Sequence, residues 1–311
     1  MNPVLVTCYV NPDLDGLASA VAYAEYLEKT GIDAEAAIIG EPHEEAKYVL
    51  HRFAIPRPKQ ILDTKTVQKI ILVDSSDLNG LEGKILPEKV IEIIDHRAVN
   101  EAHKFPNASI QIELVGAAAT LVAEKFMRQT IPISKPSSIL LVSAIISNTL
   151  NFKGSVTTER DRKVSEWLNQ TAQLPDGFWK ELFTAKSDLS GSKLAERIDG
   201  DFAEFSFGNK RIGIAQLEII GAEKLIEQRL IEIRKILQKL KQEKHLDFVF
   251  QNTIDLEKGQ NYLIAADDES KDLLEKSLET KFTGNVAKPS VLLMRKQIVP
   301  RLKDTIENKL L

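Results

Sequence analysis

The sequence contains a single cysteine, Cys8, among its 311 residues. One thiol cannot form a disulfide within the chain, and it cannot supply a metal cluster that is held by several thiolates. Cys8 also lies inside an apolar segment rather than in the loop that follows it. We therefore do not expect it to act as a nucleophile, because a reactive thiolate needs an exposed and electropositive environment.

An excess of positive charge and long apolar runs are also missing. With 41 Lys and Arg against 45 Asp and Glu, the formal net charge is −4, so the chain lacks the basic character of nucleic-acid-binding proteins. No stretch is apolar over the length needed to span a bilayer, and residues 1–3 lead into a strand without a basic segment. We expect a cytoplasmic protein with no nucleic-acid or membrane partner, in which any recognition of phosphate is local. The charge leaves a small anionic substrate open.

An apolar segment, residues 4–10, stops at a polar turn formed by residues 11–16, NPDLDG. Residues 17–30 then carry apolar side chains at helical spacing, so the turn joins a buried strand to the N-terminus of a helix. In open α/β sheets, ligands bind at such a junction. Asp13 and Asp15 can both point into one cavity there, where a divalent cation would relieve their repulsion. The alternative is an N-cap and a turn aspartate without a ligand.

Two further apolar strands end in polar residues. Residues 67–73 are followed by Asp74, and residues 90–94 are followed closely by His96. Strands and helices alternate along this half of the chain, which predicts a doubly wound parallel sheet with its site along one rim. Loops from adjacent parallel strands converge on one crevice, so we expect four ligands there: Asp13, Asp15, Asp74 and His96.

Three carboxylates and one imidazole form a hard donor set that suits Mn²⁺ or Mg²⁺. Asp74 is central in the order and could bridge two cations, one of which activates water while both neutralise phosphate oxygens. The alternative for His96 is a core or capping histidine. Arg97 could bind phosphate through its planar guanidinium, or form a surface salt bridge instead.

Residues 137–150 predict a very apolar helix, and Asn148 is a conspicuous polar residue near its end. Thr157 or Thr158 is the expected N-cap of the next helix.

The composition of residues 186–192, KSDLSGS, predicts a connection between two domains. We place an α/β metal-binding domain at residues 1–184 and a smaller, mixed α+β substrate-binding domain at residues 188–311. The last strand of the second domain is predicted at residues 290–294. Three basic residues could form the cationic half of a phosphate clamp: Lys186, Arg295 and Lys296.

Taken in order, these motifs resemble those of the DHH phosphoesterases. The matching segments are residues 11–16, 72–74, 94–97, 147–153 with 157–159, and 295–300. The chain is similar in particular to the manganese-dependent family II inorganic pyrophosphatases and to the prune-type exopolyphosphatases, and the likeness covers nearly its whole length.

The resemblance implies hydrolysis of phosphoanhydride bonds in inorganic pyrophosphate or short-chain polyphosphate. It implies a two-metal site on a DHH domain and a DHH-associated second domain that closes over the substrate. Mn²⁺ is the implied cofactor, with Mg²⁺ or Co²⁺ as alternatives. The implied catalytic residues are Asp13, Asp15, Asp74 and His96, the implied metal ligands are these four with Asn148, and the implied substrate contacts are Arg97, Lys186, Arg295 and Lys296.

Four positions depart from the pyrophosphatase pattern. That family carries histidine in place of Tyr9 and Arg97, aspartate in place of Asn148, and arginine in place of Met294, whereas the prune branch also has Arg97 and lacks the first histidine. An amide oxygen can coordinate a cation but brings no negative charge. The alternative function is therefore a catalytically weakened homologue that binds a phosphorylated ligand or a partner without turnover. A nuclease is less favoured because no aromatic and basic stacking surface is visible. A homodimer is one option for the oligomeric state, which the sequence leaves open.

Overall fold

The computed structural model describes residues 3–78, 80–98 and 100–309. The chain divides into two compact units, Met1–Ala185 and Lys186–Leu311. This division falls at the start of the segment that was predicted to connect two domains. None of the helices in the described ranges is long and apolar enough to cross a bilayer.

The first unit contains a parallel sheet flanked by helices, which confirms the predicted doubly wound α/β fold. Its described strands are β1 (Val4–Thr7), β2 (Ala34–Ile39), β3 (Lys59–Ile61), β4 (Ile70–Val73), β5 (Val90–Asp95) and β6 (Ser109–Ile112). They lie side by side in the order β3-β2-β1-β4-β5-β6. The order reverses between β1 and β4, and in such sheets a crevice opens there beyond the carboxyl ends of the strands.

The central strands β1 and β4 are buried along their whole length, as expected for continuous apolar runs covered on both faces. The edge strand β3 was not predicted, because two of its three residues are polar and exposed. Pairing of its backbone with β2, rather than an apolar pattern, makes this segment a strand.

Helices of the first unit connect or follow these strands. Their bounds are α1 (Leu14–Lys29), α2 (Glu44–Arg52), α3 (Ala118–Gln129), α4 (Lys135–Asn148), α5 (Glu159–Ala172) and α6 (Phe178–Lys186). The apolar helix α4 packs against α1, α3 and α5, which explains why apolar residues cover most of its circumference. Thr158 caps α5 as predicted, in a capping box with Asp161.

The second unit is a mixed α+β domain, as predicted. Its described strands are β7 (Phe202–Phe207), β8 (Lys210–Ile219), β9 (Phe248–Asp255), β10 (Gln260–Ala265), β11 (Phe282–Thr283) and β12 (Val286–Ala287), and its described helices are α7 (Lys193–Gly200), α8 (Ala222–Glu243), α9 (Asp268–Leu278) and α10 (Arg295–Lys309). The strand order is β11-β12-β10-β9-β8-β7. The β8–β9 pair is parallel and the other pairs are antiparallel. One apolar cluster joins the sheet to α7 and α8, and another joins it to α9 and α10.

The predicted final strand at residues 290–294 is wrong. This segment has no regular secondary structure and lies outside the sheet, and it leads directly into α10, which was not predicted. The backbone N–H of Leu293 donates to Asn261 Oδ1 at 2.7 Å, and its carbonyl accepts from Asn252 Nδ2 at 2.9 Å. Side-chain amides thus satisfy the buried backbone that a neighbouring strand would otherwise satisfy.

Candidate metal centre

The loop between β1 and α1 places two aspartates at the point where the strand order reverses. Asp13 is the N-cap of α1, and its Oδ1 accepts a hydrogen bond from the N–H of Gly16 at 3.0 Å. Asp15 lies in the first turn of the helix and is fully buried. The loop is fixed to the neighbouring strand because Asn11 N–H donates to the carbonyl of Ile39 at 2.9 Å.

The carboxylate of Asp15 receives four protein donors. The N–H of Ala118 donates to Oδ2 and the N–H of Ala119 donates to Oδ1, each at 2.8 Å, so the N-terminus of α3 faces this side chain. The amide Nδ2 of Asn148 donates to Oδ2 at 2.8 Å, and the hydroxyl of Ser19 lies 3.4 Å from Oδ1. These donors and the positive end of the helix dipole stabilise a buried negative charge.

Asp74 follows β4 and is 2 % exposed. Its backbone adopts a left-handed conformation with φ of 51°, which is uncommon for a residue other than glycine. The conformation is held because its N–H donates to the carbonyl of Ile94 at 2.8 Å. Burial raises the pKa of the Asp74 carboxyl above its ordinary value, and it raises that of Asp15 as well, where the charge of Asp74 adds to the effect.

His96 follows β5 and points one ring nitrogen at both carboxylates. Its Nδ1 donates to the carbonyl of Val115 at 2.9 Å, which leaves Nε2 3.3 Å from Asp74 Oδ1 and 3.7 Å from Asp15 Oδ2. Burial alone would lower the pKa of His96, but the hydrogen bond to Asp74 and the two negative charges raise it. A carbonyl that fixes the tautomer of a histidine in this way is typical of metal-binding imidazoles.

The ligand atoms of Asp15, Asp74 and His96 all lie within 4.8 Å of one another. Within the described ranges, this is the group of three or more acidic, histidine or cysteine side chains that could hold a metal ion. Two buried carboxylates this close repel each other, and a cation between them removes the repulsion. The oxygen and imidazole donors fit a hard or borderline ion such as Mn²⁺.

The two other predicted ligands lie beside this triangle and are not part of it. Asp13 is half-buried and uses one oxygen as a helix cap, as the alternative interpretation from the sequence has it. Asn148, the last residue of α4, directs its amide NH₂ group toward Asp15. The ligand roles of both residues stay predictions.

Arg97 extends over the same rim as a half-buried cation. Its Nη2 donates to the backbone carbonyl of Asp74 at 2.8 Å and lies 3.9 Å from the carboxylate of that residue. Its other nitrogens lie 3.6 Å from Asp77 and 3.8 Å from Asp95, and the guanidinium stacks 5.4 Å above the ring of Tyr9. Arg97 thus forms ion pairs around the rim, and its role in binding phosphate stays a prediction.

The second unit brings together two of the predicted phosphate-binding residues. Arg295 donates to the carbonyl and the carboxylate of Asp201, each at 2.7 Å, and Lys186 lies 3.3 Å from Glu218. Gln216 connects the two pairs, because its Nε2 donates to Glu218 at 3.0 Å and its Oε1 accepts from Arg295 N–H at 2.8 Å. Lys296 follows in the first turn of α10 and is exposed, and partial desolvation lowers the pKa of its ammonium group.

The sequence analysis missed Asp161, a fully buried aspartate that supports the centre from α5. Both of its oxygens lie 3.0 Å from the N–H of Gly116, and it accepts from the Thr120 hydroxyl at 2.6 Å and from Thr158 N–H at 2.7 Å. It thereby holds the segment that begins α3, whose N-terminus binds Asp15. The spacing T-x-x-D at residues 158–161 is the signal that could have identified it as a capping residue.

A second missed residue is Glu45, which is also buried. Its Oε2 accepts from the hydroxyl of Ser147 at 2.7 Å, and its Oε1 lies 3.4 Å from the N–H of Leu14. Glu45 thus connects α2 to the start of α1 and to the end of α4. No sequence signal distinguishes it from an exposed acid in the first turn of a helix.

Comparisons with known proteins match both units. The model of the DHH family, N-terminal domain, matches residues 3–145, and the model of the DHHA2 domain matches residues 180–305. The manganese-dependent inorganic pyrophosphatase of Methanothrix thermoacetophila is 30% identical over 311 residues, which cover 98% of each chain. A Clostridium acetobutylicum protein assigned as a manganese-dependent inorganic pyrophosphatase is 29% identical over 98% of this chain and 99% of its own.

Solved structures give the same result. A Methanococcus jannaschii protein assigned to the family II inorganic pyrophosphatases superimposes with a TM-score of 0.79 at 29% identity, over 98% of this chain and all of that one. An exopolyphosphatase-related protein from Bacteroides fragilis, with a TM-score of 0.51 and 12% identity, shares the fold alone. The full-length match at 30% identity and the succession of a DHH and a DHHA2 domain show that this chain belongs to the DHH phosphoesterases, in the family of manganese-dependent inorganic pyrophosphatases.

Proposed function

We propose that this chain hydrolyses the phosphoanhydride bond of inorganic pyrophosphate, with short-chain polyphosphate as a second substrate and Mn²⁺ as its cofactor. The observation that carries the proposal is the buried triangle of Asp15, Asp74 and His96 at the switch point of a parallel sheet. Relatives that match along the whole chain are named for this activity. The alternative cofactors are Mg²⁺, which prefers oxygen ligands, and Co²⁺, which also accepts imidazole.

A divalent cation in the triangle supplies Lewis-acid chemistry, which polarises phosphate oxygens and lowers the pKa of water. Asp15, Asp74 and His96 would hold this cation, and other residues of the chain orient these three side chains. The carbonyl of Val115 fixes His96 with Nε2 toward the carboxylates, and α3 fixes Asp15 through two backbone N–H groups. Asp13 lies at the N-terminus of α1, beside this triangle, and we propose it as a further catalytic and metal-binding residue. We propose Asn148 as a further metal ligand.

Four cationic side chains are proposed to neutralise the phosphates of the substrate: Arg97, Lys186, Arg295 and Lys296. Phosphoryl transfer depends on positioning and on charge stabilisation, and fixed cations supply both. The contacts of Arg295 with Asp201 and of Lys186 with Glu218 support this role, because they keep two of the cations in defined positions.

We also propose residues 1–184 as the metal-binding domain and residues 188–311 as the substrate-binding domain, which the division at Ala185 supports. On this proposal the protein acts in the cytoplasm on a small phosphate-containing substrate, without nucleic acid or membrane. The net charge of −4 is in keeping with this. A homodimer is the alternative to a monomer, and sedimentation at several protein concentrations distinguishes the two.

The direct test is phosphate release by the purified chain from pyrophosphate and from tripolyphosphate, with Mn²⁺, Mg²⁺, Co²⁺ or no added metal. We expect release from pyrophosphate that depends on a divalent cation and is fastest with Mn²⁺. The rival function, binding without turnover, predicts a calorimetric signal with pyrophosphate but no phosphate release with any of the three metals.

A second test concerns the segment before α10. We expect Asn261→Ala to raise the KM for pyrophosphate on the order of tenfold, because small displacements of binding groups are costly. The reason is that Asn261 holds Leu293 through its backbone N–H at 2.7 Å and its carbonyl at 2.6 Å, and so positions Arg295 and Lys296. Steady-state kinetics give KM and kcat separately. Asn209→Ala, in the exposed turn between β7 and β8, is the matched control, and equal KM values for the two variants would contradict this positioning role.

A further inference from the structure

Backbone groups of the second unit hold Arg295 in place. Its Nη1 donates to the carbonyl of Asp201 at 2.7 Å and lies 3.3 Å from the carbonyl of Ile214. The same carbonyl of Asp201 also accepts from the backbone N–H of Gln216, and the backbone N–H of Arg295 donates to Gln216 Oε1 at 2.8 Å. None of these contacts involves an acidic side chain, so they remain when such a side chain is replaced.

The carboxylate of Asp201 makes a contact of a different kind with the same guanidinium. Its Oδ1 lies 2.7 Å from Arg295 Nη2, although the Asp201 side chain is 44% exposed. A phosphate oxygen would form the same charge-assisted bond, because arginine binds carboxylates and phosphates through one planar set of N–H groups. A carboxylate that is this exposed can turn into water at small cost, since ion pairs at the surface contribute little to stability.

The neighbouring ion pair lacks this freedom. The side chains of Lys186 and Glu218 are both mostly buried, with 3.3 Å between Lys186 Nζ and Glu218 Oε2. Gln216 Nε2 also donates to Glu218 at 3.0 Å. Separating a buried ion pair is costly because it leaves a charge without its partner. Of the two carboxylates that face these cations, Asp201 is therefore the one that an incoming anion can displace.

We propose that the carboxylate of Asp201 competes with phosphate for the guanidinium of Arg295, and so sets the affinity of the second unit for phosphate groups. The inference deepens the proposed function and rests on it, since it takes Arg295 as a phosphate contact. A phosphate group displaces the carboxylate into solvent while the backbone carbonyls keep the guanidinium in position. The competition weakens binding of the product phosphate as well as of the substrate, and thereby favours product release.

Titration of the full chain with inorganic phosphate, followed by calorimetry in the presence of Mn²⁺, tests this inference. We expect Asp201→Asn to bind phosphate about three- to tenfold more tightly, because no charge-assisted hydrogen bond then has to be broken. A residue that only positions Arg295 would give the opposite sign. Unchanged or weaker binding of phosphate by Asp201→Asn would overturn the proposal. If this variant does not fold, Asp201→Ala carries the same expectation.

Glu232→Gln is the matched control for the change in net charge. Glu232 lies 2.6 Å from Arg229 in the same unit, and its side chain is 47% exposed, close to the exposure of Asp201. We expect its phosphate affinity to equal that of the unaltered chain. A gain as large as that of Asp201→Asn would indicate a general charge effect and would contradict the proposal.

A double-mutant cycle with Arg295→Gln tests whether Asp201 acts through this arginine. In the Arg295→Gln chain, we expect the further change Asp201→Asn to alter phosphate affinity by less than about twofold, because no guanidinium remains to be released. A gain equal to that in the unaltered chain would overturn the assigned partner.

Failure of this inference can be separated from failure of the proposed function, because calorimetry with phosphate requires no turnover. Tighter binding of phosphate by Asp201→Asn, without phosphate release from pyrophosphate by the unaltered chain, would overturn only the function. Release by the unaltered chain, with no gain in affinity in Asp201→Asn, would overturn only the inference.

Discussion

Replacing Asp74 by alanine is expected to reduce Mn²⁺-dependent phosphate release from pyrophosphate by on the order of 10³-fold, the loss typical of a group that stabilises charge at the reacting centre. Asp74 is the residue that faces both His96 Nε2, at 3.3 Å, and the guanidinium of Arg97, at 3.9 Å. Its removal takes one ligand from the triangle and leaves the half-buried side chains of His96 and Arg97 without the carboxylate that both face. The measurement is kcat at saturating pyrophosphate, with calorimetric affinity for Mn²⁺ alongside it.

Asp33→Ala is the matched control for this prediction. Asp33 is exposed and precedes β2, so it lies at the amino end of a strand, on the rim opposite to Asp74. Asp74→Asn adds a second comparison, because it keeps the shape of the side chain while removing its charge. We expect Asp33→Ala to retain activity and Asp74→Asn to lose most of it. Activity of Asp74→Ala within a few-fold of the unaltered chain would mean that the triangle is not the reactive centre.

The residues of the triangle could be predicted because of where they stand relative to apolar strands. Asp15, Asp74 and His96 each follow a buried run, and a parallel sheet places the carboxyl ends of such runs along one rim. The partners of these residues could not be predicted. Asn148 donates to Asp15 across 133 positions of sequence, and the direction in which its amide points depends on the packing of α4 against α1.

The segments that were assigned wrongly share a physical cause. Residues 290–294 look like a strand because they are mostly apolar, but the side chains of Asn252 and Asn261 satisfy the backbone of Leu293 instead of a neighbouring strand. The error at β3 is the reverse, a strand that was not predicted. Its residues lack an apolar pattern, but their backbone pairs with β2. In both cases the deciding hydrogen bonds join distant parts of the chain, and local periodicity does not report them.

Replacing Asp161 by alanine is expected to lower the free energy of unfolding by about 3–5 kcal/mol, because several buried donors lose their acceptor at once. The side chain is completely buried and accepts from Gly116 N–H, from Thr158 N–H and from the hydroxyl of Thr120. Unfolding in urea, followed by circular dichroism, measures the change. Glu159→Ala is the control, since Glu159 occupies the first turn of the same helix with its side chain 93% exposed.

A second substitution of Asp161 separates its role as a local helix cap from a role in supporting the metal centre. Asp161 holds the N–H of Gly116, and two residues further on the N-terminus of α3 binds Asp15. Asp161→Asn keeps the size of the side chain, and we expect this variant to fold. If Asp161 supports Asp15 through α3, the variant should bind Mn²⁺ about 10-fold more weakly, which is typical for loss of a group that orients a metal ligand. A variant that is destabilised but binds Mn²⁺ with unchanged affinity would show that Asp161 acts only as the cap of α5, and that Asp15 is held by α3 independently of it.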